Sequence, residues 1–440
     1  MPGTYRLFIR SVLAAAVAGT FATGAHAQGE AERIRELEKR LEKSVQLIEQ
    51  LTARVNELER SRAPAPAAPA AAPQPAAQAA QYEQRIEALE RNLSQVSAST
   101  ESRDFGLPLH GFADVDYDHS TRSSAGNRRS GFALGNLDFY LTPSFGDRVK
   151  ALAELNFEID EAGGVATDLE RLQVGYTVSD ALTAWVGRFH TPYGYWNTAF
   201  HHGQQIQTSA TRPGFIEFED RGGILPAHSV GLWLTGRVPA ARGRIEYDAY
   251  LANGSRIADG VLDFNAFHDD NSHKAVGGRV GYRFGGGPLD GLTLGAHALG
   301  DDITAFAGDT AVARSRLRML GAFGVYEAND WESIAEYYRF RNDDRLGDAG
   351  TRTSWAGFWQ IARTWDERWT PYYRWEKAAL DKADPYFASL ESARSYARNV
   401  LGIRYNINPK AAVKLEAGRT RDHDLRESYT EARAQFAIRF

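Results

Sequence analysis

The chain has 440 residues, 51 basic and 56 acidic side chains, a formal net charge of −5 and no cysteine. That length allows two or three ordinary domains or one very large one. The lack of cysteine excludes a disulfide scaffold and thiol chemistry, so stability must come from a large core or a closed sheet.

The first element is "MPGTYRLFIRSVLAAAVAGTFATGAHAQ". Arg6 and Arg10 form a basic start, an apolar run follows from Ser11 to Ala22, and Ala25-His26-Ala27 has the small-x-small pattern of a signal peptidase site. Gly19, Thr20 and Thr23 interrupt the run, which is too short for a membrane anchor of about 18 apolar residues. Residues 1–27 are therefore expected to be a cleaved secretory signal, with the mature chain starting near Gln28 outside the cytoplasm.

Residues 28–62 read as a coiled coil. Ile34, Leu37, Leu41, Ser44, Ile48, Leu51, Val55 and Leu58 alternate at spacings of three and four, an a/d seam with one polar member. Ile34, Ile48 and Val55 at a, with Leu37, Leu51 and Leu58 at d, favour two strands. "RIRELE", "RVNELE" and "RIEALE" carry the Arg-h-x-x-h-Glu pattern of short trimeric coiled coils, and three copies outweigh that tendency. A homotrimer is expected. An Ala/Pro linker at 63–81 then breaks the helix. Tyr82, Ile86, Leu89, Leu93 and Val96 resume the seam in a short second coiled-coil segment at 82–104, out of register with the first.

From 105 to 440 the hydrophobic period becomes two. Ala151, Ala153, Leu155, Phe157 and Ile159 share one face, while Lys150, Glu154, Asn156, Glu158 and Asp160 share the other. Sixteen strands can be read, beginning near Leu107, Ser130, Val149, Leu169, Leu182, Ser229, Arg244, Ala275, Gly291, Arg314, Trp331, Thr351, Trp369, Ser395, Ala411 and Tyr429. Short connections such as "VSDA", "EAND" and "INPK" alternate with long polar ones such as "EKAALDKADPYFASLESAR". Even strand number with alternating connection lengths predicts an all-β fold, a 16-stranded antiparallel transmembrane β-barrel, carrying an N-terminal periplasmic coiled-coil helix. The closing "ARAQFAIRF" puts Phe436, Ile438 and Phe440 on one face, an expected signal for the barrel assembly machinery.

With "VGRFHTPYG" before a long third outer loop, the aromatic closing strand and the coiled coil, the chain resembles trimeric porins of Gram-negative outer membranes. The nearest look is to the phosphate-selective porin O/P-like and DcaP-like groups. That resemblance implies a water-filled channel in the outer membrane for passive diffusion of small hydrophilic anionic solutes, phosphate or dicarboxylate in type. The chain lacks the lysine ladder of phosphate-specific members. The expected partners are small anionic solutes, outer-membrane lipid and lipopolysaccharide, with no nucleic acid. The alternative is an envelope-anchoring or interaction barrel whose coiled coil binds the cell wall or a partner, transport being incidental.

The connection from Tyr193 to His228 is the longest and is expected to fold inward as the constriction, because a 16-strand barrel is wide enough for a water-filled channel. Alternation on the fifth strand sets Trp185, Gly187 and Phe189 toward lipid and Arg188 and His190 toward the lumen. Arg188, His190, Arg212, Glu217, Glu219 and Arg221 are the candidate constriction residues. Glu154, Glu158, Arg316, Arg318, Arg374, Arg404, Arg433 and Arg439 are the candidate pore lining. His201 and His202 are adjacent and His190 is eleven residues away, so no metal site is expected. No G-x-S-x-G or comparable motif is present, and neither catalysis nor a cofactor is expected.

Overall fold

The computed structural model describes the chain from Leu109 to Phe440, leaving out 124–129, 144, 160–163, 201–202, 219–220, 259, 265–268, 270 and 391. The signal peptide, both coiled-coil segments and the Ala/Pro linker expected over residues 1–104 lie outside the described residues.

The strands are β1 (Leu109–Ser120), β2 (Ser130–Leu141), β3 (Val149–Ile159), β4 (Val165–Ser179), β5 (Leu182–His190), β6 (His228–Ala240), β7 (Gly243–Asn253), β8 (Arg256–Ala258) and β9 (Val261–Asp263). They continue as β10 (Lys274–Phe284), β11 (Leu292–Ala307), β12 (Thr310–Ala328), β13 (Trp331–Asp344), β14 (Thr351–Arg363), β15 (Trp369–Ala379), β16 (Tyr396–Asn408), β17 (Ala411–Asp422) and β18 (Glu427–Arg439). β8 and β9, three residues each, form a small hairpin in the β7–β10 connection. The other sixteen form one antiparallel ring, and β1 pairs with β18 from Phe112↔Arg439 to Ser120↔Glu431 to close it. Phe440 completes the seam by exchanging backbone hydrogen bonds with Gly111. Closure pairs both edges of each of the sixteen ring strands, which is how a sheet satisfies its backbone away from water.

Tight turns join the strands at one end. Asn329 and Asp330, with φ of 52° and 68°, turn β12 into β13. The opposite end carries the β5–β6 connection, Thr191–Ala227, and the β15–β16 connection, Leu380–Ser395. The β11–β12 connection departs from the long-loop pattern. Both strands run past the rim and meet at a tight turn at Gly308 and Asp309, so the extra length becomes hairpin.

The outward face is apolar over much of its surface: Val186, Leu232, Leu320, Leu401 and Leu415 are exposed. The inward face has two unlike halves. On β1–β4 and β15–β18 it is polar, with Asp114, Asn136, Glu154, Gln173, Arg374, Lys414 and Gln435 all buried. On β11–β14 it is largely apolar, with Leu299, Leu317, Met319, Phe323, Ile334, Phe340, Ala356 and Phe358 buried. On β12 the charge goes outward. On β12 the arginines 316 and 318 share the face of Leu320, which is 67% exposed, while Leu317 and Met319 are 1% exposed. The expectation that Arg316 and Arg318 line the lumen is thus corrected: the apolar face of β12 packs on material inside the barrel, so its polar face points out.

Candidate functional site

That interior material is the β5–β6 connection. Its entry corrects the alternation expected on β5. Trp185 and Phe189 are buried, at 4% and 0% exposure, and both stack on Trp233, with ring centroids 5.8 and 5.5 Å apart. Val186 instead faces out at 54% exposure. Between them Gly187 has φ +128°, and a Cβ there would lie 2.0 Å from the Leu172 carbonyl oxygen, so only glycine allows the strand to change course. Arg188 is buried, its Nε donating to the Glu170 carbonyl at 3.0 Å.

His190 and His228 pair at the two feet of the loop, their rings 5.4 Å apart. His190 Nε2 lies 3.7 Å from Glu154 Oε2, and His228 Nε2 lies 2.8 Å from Glu170 Oε2. Glu154 is also bonded to Arg171. Among the described residues no cluster of histidine and carboxylates could hold a metal ion. His201 and His202 lie outside the described residues.

From these feet the loop crosses to the far wall. After Gly194 it makes a single helical turn, α1 (Trp196–Ala199). Glu336 on β13 accepts the amides of Tyr195 and Trp196 at 3.1 and 2.7 Å, and Arg279 on β10 donates to the Gly194 carbonyl at 2.9 Å and to Thr198 Oγ1 at 2.7 Å. The apolar half of the wall receives the apolar side of the loop. Trp196 meets Phe358 edge-on at 5.6 Å, Phe215 meets Tyr338 at 5.4 Å, and Ile216, Ile224 and Leu225 are each 1% exposed. Fully burying a side chain of this kind stabilises by about 1.5–3 kcal/mol.

The loop then reaches β15 to β17, halfway round the ring from β5. Arg374, wholly buried, donates to Ser209 Oγ at 2.9 Å, to the Thr211 carbonyl at 2.8 Å and to the Arg212 carbonyl at 3.1 Å, and pairs with Glu376 at 2.9 Å. Glu416 accepts the amides of Ala210 and Thr211 at 3.0 and 3.2 Å, and Glu376 accepts that of Gly214 at 2.7 Å. Lys414 donates to the carbonyls of Gln204 and Ser209. Arg404 donates to the Gln207 carbonyl at 2.8 Å, and Thr208 Oγ1 donates to Glu332 at 3.0 Å. From Gln204 to Thr211 the loop carries no charged side chain, so its bare amides and carbonyls are matched by wall carboxylates and cations.

Two polar cavities lie at opposite ends of the lumen. One, about 420 Å³, lies at the long-loop end and includes Thr211, Glu217, Arg221, Arg398 and Arg433. The other, about 380 Å³, lies at the tight-turn end and includes Gln205, Arg368, Arg404 and Arg439. Gln205 and Thr211 thus touch different cavities, while Gln207, Ser209 and Ala210 between them are fully buried.

The candidate residues therefore divide. Arg221 and Glu217 line the outer cavity, with Arg221 3.6 Å from Glu158. Arg433 joins them, 3.3 Å from Asp116 and 2.6 Å from Asp118. Arg404 and Arg439 reach the inner cavity. Arg212 is 1% exposed and holds the loop together, donating to the Ile216 carbonyl at 3.1 Å and to Asn197 Oδ1 at 3.3 Å. Glu219 lies outside the described residues. Arg279, Glu336, Glu376, Lys414 and Glu416 were missed by sequence reasoning. Their one signal was a charged side chain on the buried parity of a strand.

No family model matches the sequence, and no curated protein matches it. Solved porin structures share its fold. It is similar to an anion-selective porin from Comamonas acidovorans, at TM-score 0.53 and 15% identity over 76% of this chain and 99% of that one. It is similar to the outer membrane channel DcaP of Acinetobacter baumannii at TM-score 0.50 and 9% identity, over 78% of this chain and 100% of that one. OmpF of Salmonella typhi has TM-score 0.50 and 13% identity, over 76% of this chain and 97% of that one. At these identities the likeness is one of fold, a closed 16-strand barrel of the porin kind.

Proposed function

We propose that the protein is a passive diffusion channel of a bacterial outer membrane, with Thr191–Ala227 as its constriction and small anionic solutes of phosphate or dicarboxylate type as its cargo. The observation that carries this is the loop's position between two polar cavities at the two ends of the lumen. Arg188 and His190 set the loop's foot, Arg212 its internal shape, and Arg221 and Glu217 its charged edge.

Anionic cargo is supported by one wall. Arg398 and Arg404 share the inward face of β16, and Arg433 and Arg439 that of β18. In each pair the residues are six apart, about 20 Å along a strand, with one member at each cavity. A solute crossing the barrel would meet an arginine pair before and after the waist, where confined, low-dielectric surroundings strengthen the field. The heptad seams of residues 28–62 and 82–104 support a homotrimer with a periplasmic stalk, and the outward Phe436, Ile438 and Phe440 support recognition by the assembly machinery.

Planar-bilayer recording tests the proposal. Purified protein is expected to give stepped currents with an anion-selective reversal potential, and Arg398→Gln with Arg433→Gln is expected to move that potential toward cations. Inserted barrels that pass no current would overturn the channel reading; current with no anion preference would overturn the cargo.

A further inference from the structure

The outward face of β12 and β13 carries a group of arginines that no pore function uses. Tyr337, Arg339 and Arg341 are exposed on β13, alternating with the buried Tyr338, Phe340 and Asn342. Arg318 on β12 stands beside them and bonds to Asp343 while its side chain stays 50% exposed. Among the described residues the guanidinium groups of Arg339 and Arg341 have neither a hydrogen bond nor an ion pair.

Their height on the barrel defines what they face. Trp331 at the tight-turn end of β13 is 38% exposed and Arg339 is eight residues further along. At ~3.3 Å per residue and a strand tilt of about 40°, that is about 20 Å across the membrane, and Arg341 is about 5 Å higher. An apolar band about 25 Å tall therefore ends at these residues. An aromatic layer marks the same edge: Tyr337 packs on Trp355 with centroids 6.1 Å apart, and the Lys377 ammonium lies 5.3 Å from the Trp355 ring centre. Beside it on β12, Leu320 is 67% exposed and paired with Arg339. Unpaired guanidinium groups at the lipid edge are costly unless they meet anions, and a guanidinium matches a phosphate bidentately.

Resting on the outer-membrane reading above, we infer that Arg318, Arg339 and Arg341 form a binding site for the phosphate groups of a phosphorylated glycolipid in the outer leaflet. Arg339 and Arg341 supply uncommitted donors, Arg318 shares its charge with Asp343, and Leu320 with the Tyr337–Trp355 pair lies against the acyl chains. A lipid occupant is favoured over free phosphate because apolar surface adjoins the cations on the membrane side. Arg419 and Arg421 reach a similar height on β17, but their cross-strand neighbours are Asn399 and Thr430 for Arg419 and Ala397 and Ser428 for Arg421, so among the described residues no second arginine strand stands beside them.

The test uses the full-length protein, purified in detergent, and diphosphoryl lipid A as probe. Retention is measured by native mass spectrometry for wild type, Arg339→Gln/Arg341→Gln and Arg419→Gln/Arg421→Gln. The first pair of substitutions is expected to weaken retention ~10-fold or more, and removal of both lipid phosphates to weaken wild-type retention alike. The β17 pair is expected to retain lipid as wild type does, and excess inorganic phosphate not to displace it. Equal retention by the β13 variant, equal loss in the β17 variant, or displacement by inorganic phosphate would overturn the site. Single-channel current recorded on the same samples separates this from the channel proposal, since the outward substitutions are expected to leave it unchanged.

Discussion

Glu336 accepts the amide of Trp196 at 2.7 Å, a bond from the inward face of β13 to the first turn of the loop inside the barrel. The same carboxylate holds the Tyr195 amide at 3.1 Å and bonds to the Tyr338 hydroxyl, so one side chain sets where the loop begins its crossing. Glu336→Ala leaves two buried amides without an acceptor, a local cost of about 1–3 kcal/mol for each unsatisfied group. Single-channel traces of that variant are expected to show larger and noisier current. Glu336→Gln keeps one carbonyl oxygen and is expected to lie closer to wild type. Quiet, wild-type traces from the alanine variant would show that this anchor does not position the loop.

Arg374 is the second anchor, and its removal acts through charge. Arg374 and Glu376 are both fully buried, so truncating the arginine strands a carboxylate and also frees the Ser209, Thr211 and Arg212 contacts. Breaking a buried pair in this way costs about 3–5 kcal/mol. The barrel of Arg374→Ala is expected to lose its folded gel mobility at a lower temperature than wild type, as read by heat-modifiability on electrophoresis. Arg374→Lys cannot reproduce the fork and should recover little of the difference. Identical melting of all three would assign the loop's stability to its apolar side alone.

Selectivity should follow exposure and not mere presence in the loop. Arg212 is 1% exposed, whereas the Arg221 side chain is 51% exposed on the outer cavity. Arg221→Glu is therefore expected to shift the reversal potential toward cations with the folded barrel intact. Arg212→Glu places an anion against the Ile216 carbonyl and is expected to lower the yield of folded barrel. A clean selectivity shift from Arg212→Glu, with normal yield, would put that residue in the pore.

These contrasts also show where the sequence was readable. Strand alternation was strong enough to place nearly every strand start within a few residues, because two-sided burial repeats at period two in all sixteen. It misled on β5 and β12, where the inward face is apolar because the loop packs against it. Trp185 with Phe189, and Leu317 with Met319, look like lipid-facing residues in the sequence. Only the loop's path tells a lipid-facing leucine from one that faces Trp196 or Phe215, and that path depends on contacts as distant as Ala210 with Glu416. The long third connection was legible from its length; its partners were not.

Gly194 in "VGRFHTPYG" has a definite reason to be glycine. Its φ is +55°, and a Cβ would fall 1.9 Å from Glu336 Oε2. Gly194→Ala adds about 1–2 kcal/mol of left-handed backbone strain and also displaces the carboxylate that caps the next two amides. A Cβ would also lie 2.3 Å from the Tyr338 hydroxyl oxygen, so the variant's folded yield in detergent is expected to drop, and the double variant Gly194→Ala/Tyr338→Phe is expected to regain part of that loss by relieving the second contact. Wild-type yield from the single variant would overturn the close-approach account.

The return leg of the loop is braced from outside by the β15–β16 connection, which offers a pH-dependent prediction. Asp384 caps the single turn α2 (Pro385–Ala388), accepting the Tyr386 amide at 3.0 Å and Asn342 Nδ2 at 2.8 Å. The Tyr386 hydroxyl in turn donates to the Ile224 carbonyl at 2.6 Å. Burial raises the Asp384 carboxyl above its ordinary value, outweighing the two hydrogen bonds that lower it. A raised folded value means the folded segment prefers the protonated acid. Its stabilising contribution is complete below the unfolded value near ~3.9 and is lost as pH rises through the folded value. Amide exchange in residues 380–390, corrected for intrinsic rates, is therefore expected to quicken as pH rises above about 4. Asp384→Asn keeps a capping oxygen but cannot titrate, and is expected to flatten the profile. A steep profile that survives in the asparagine variant would place the titrating group elsewhere.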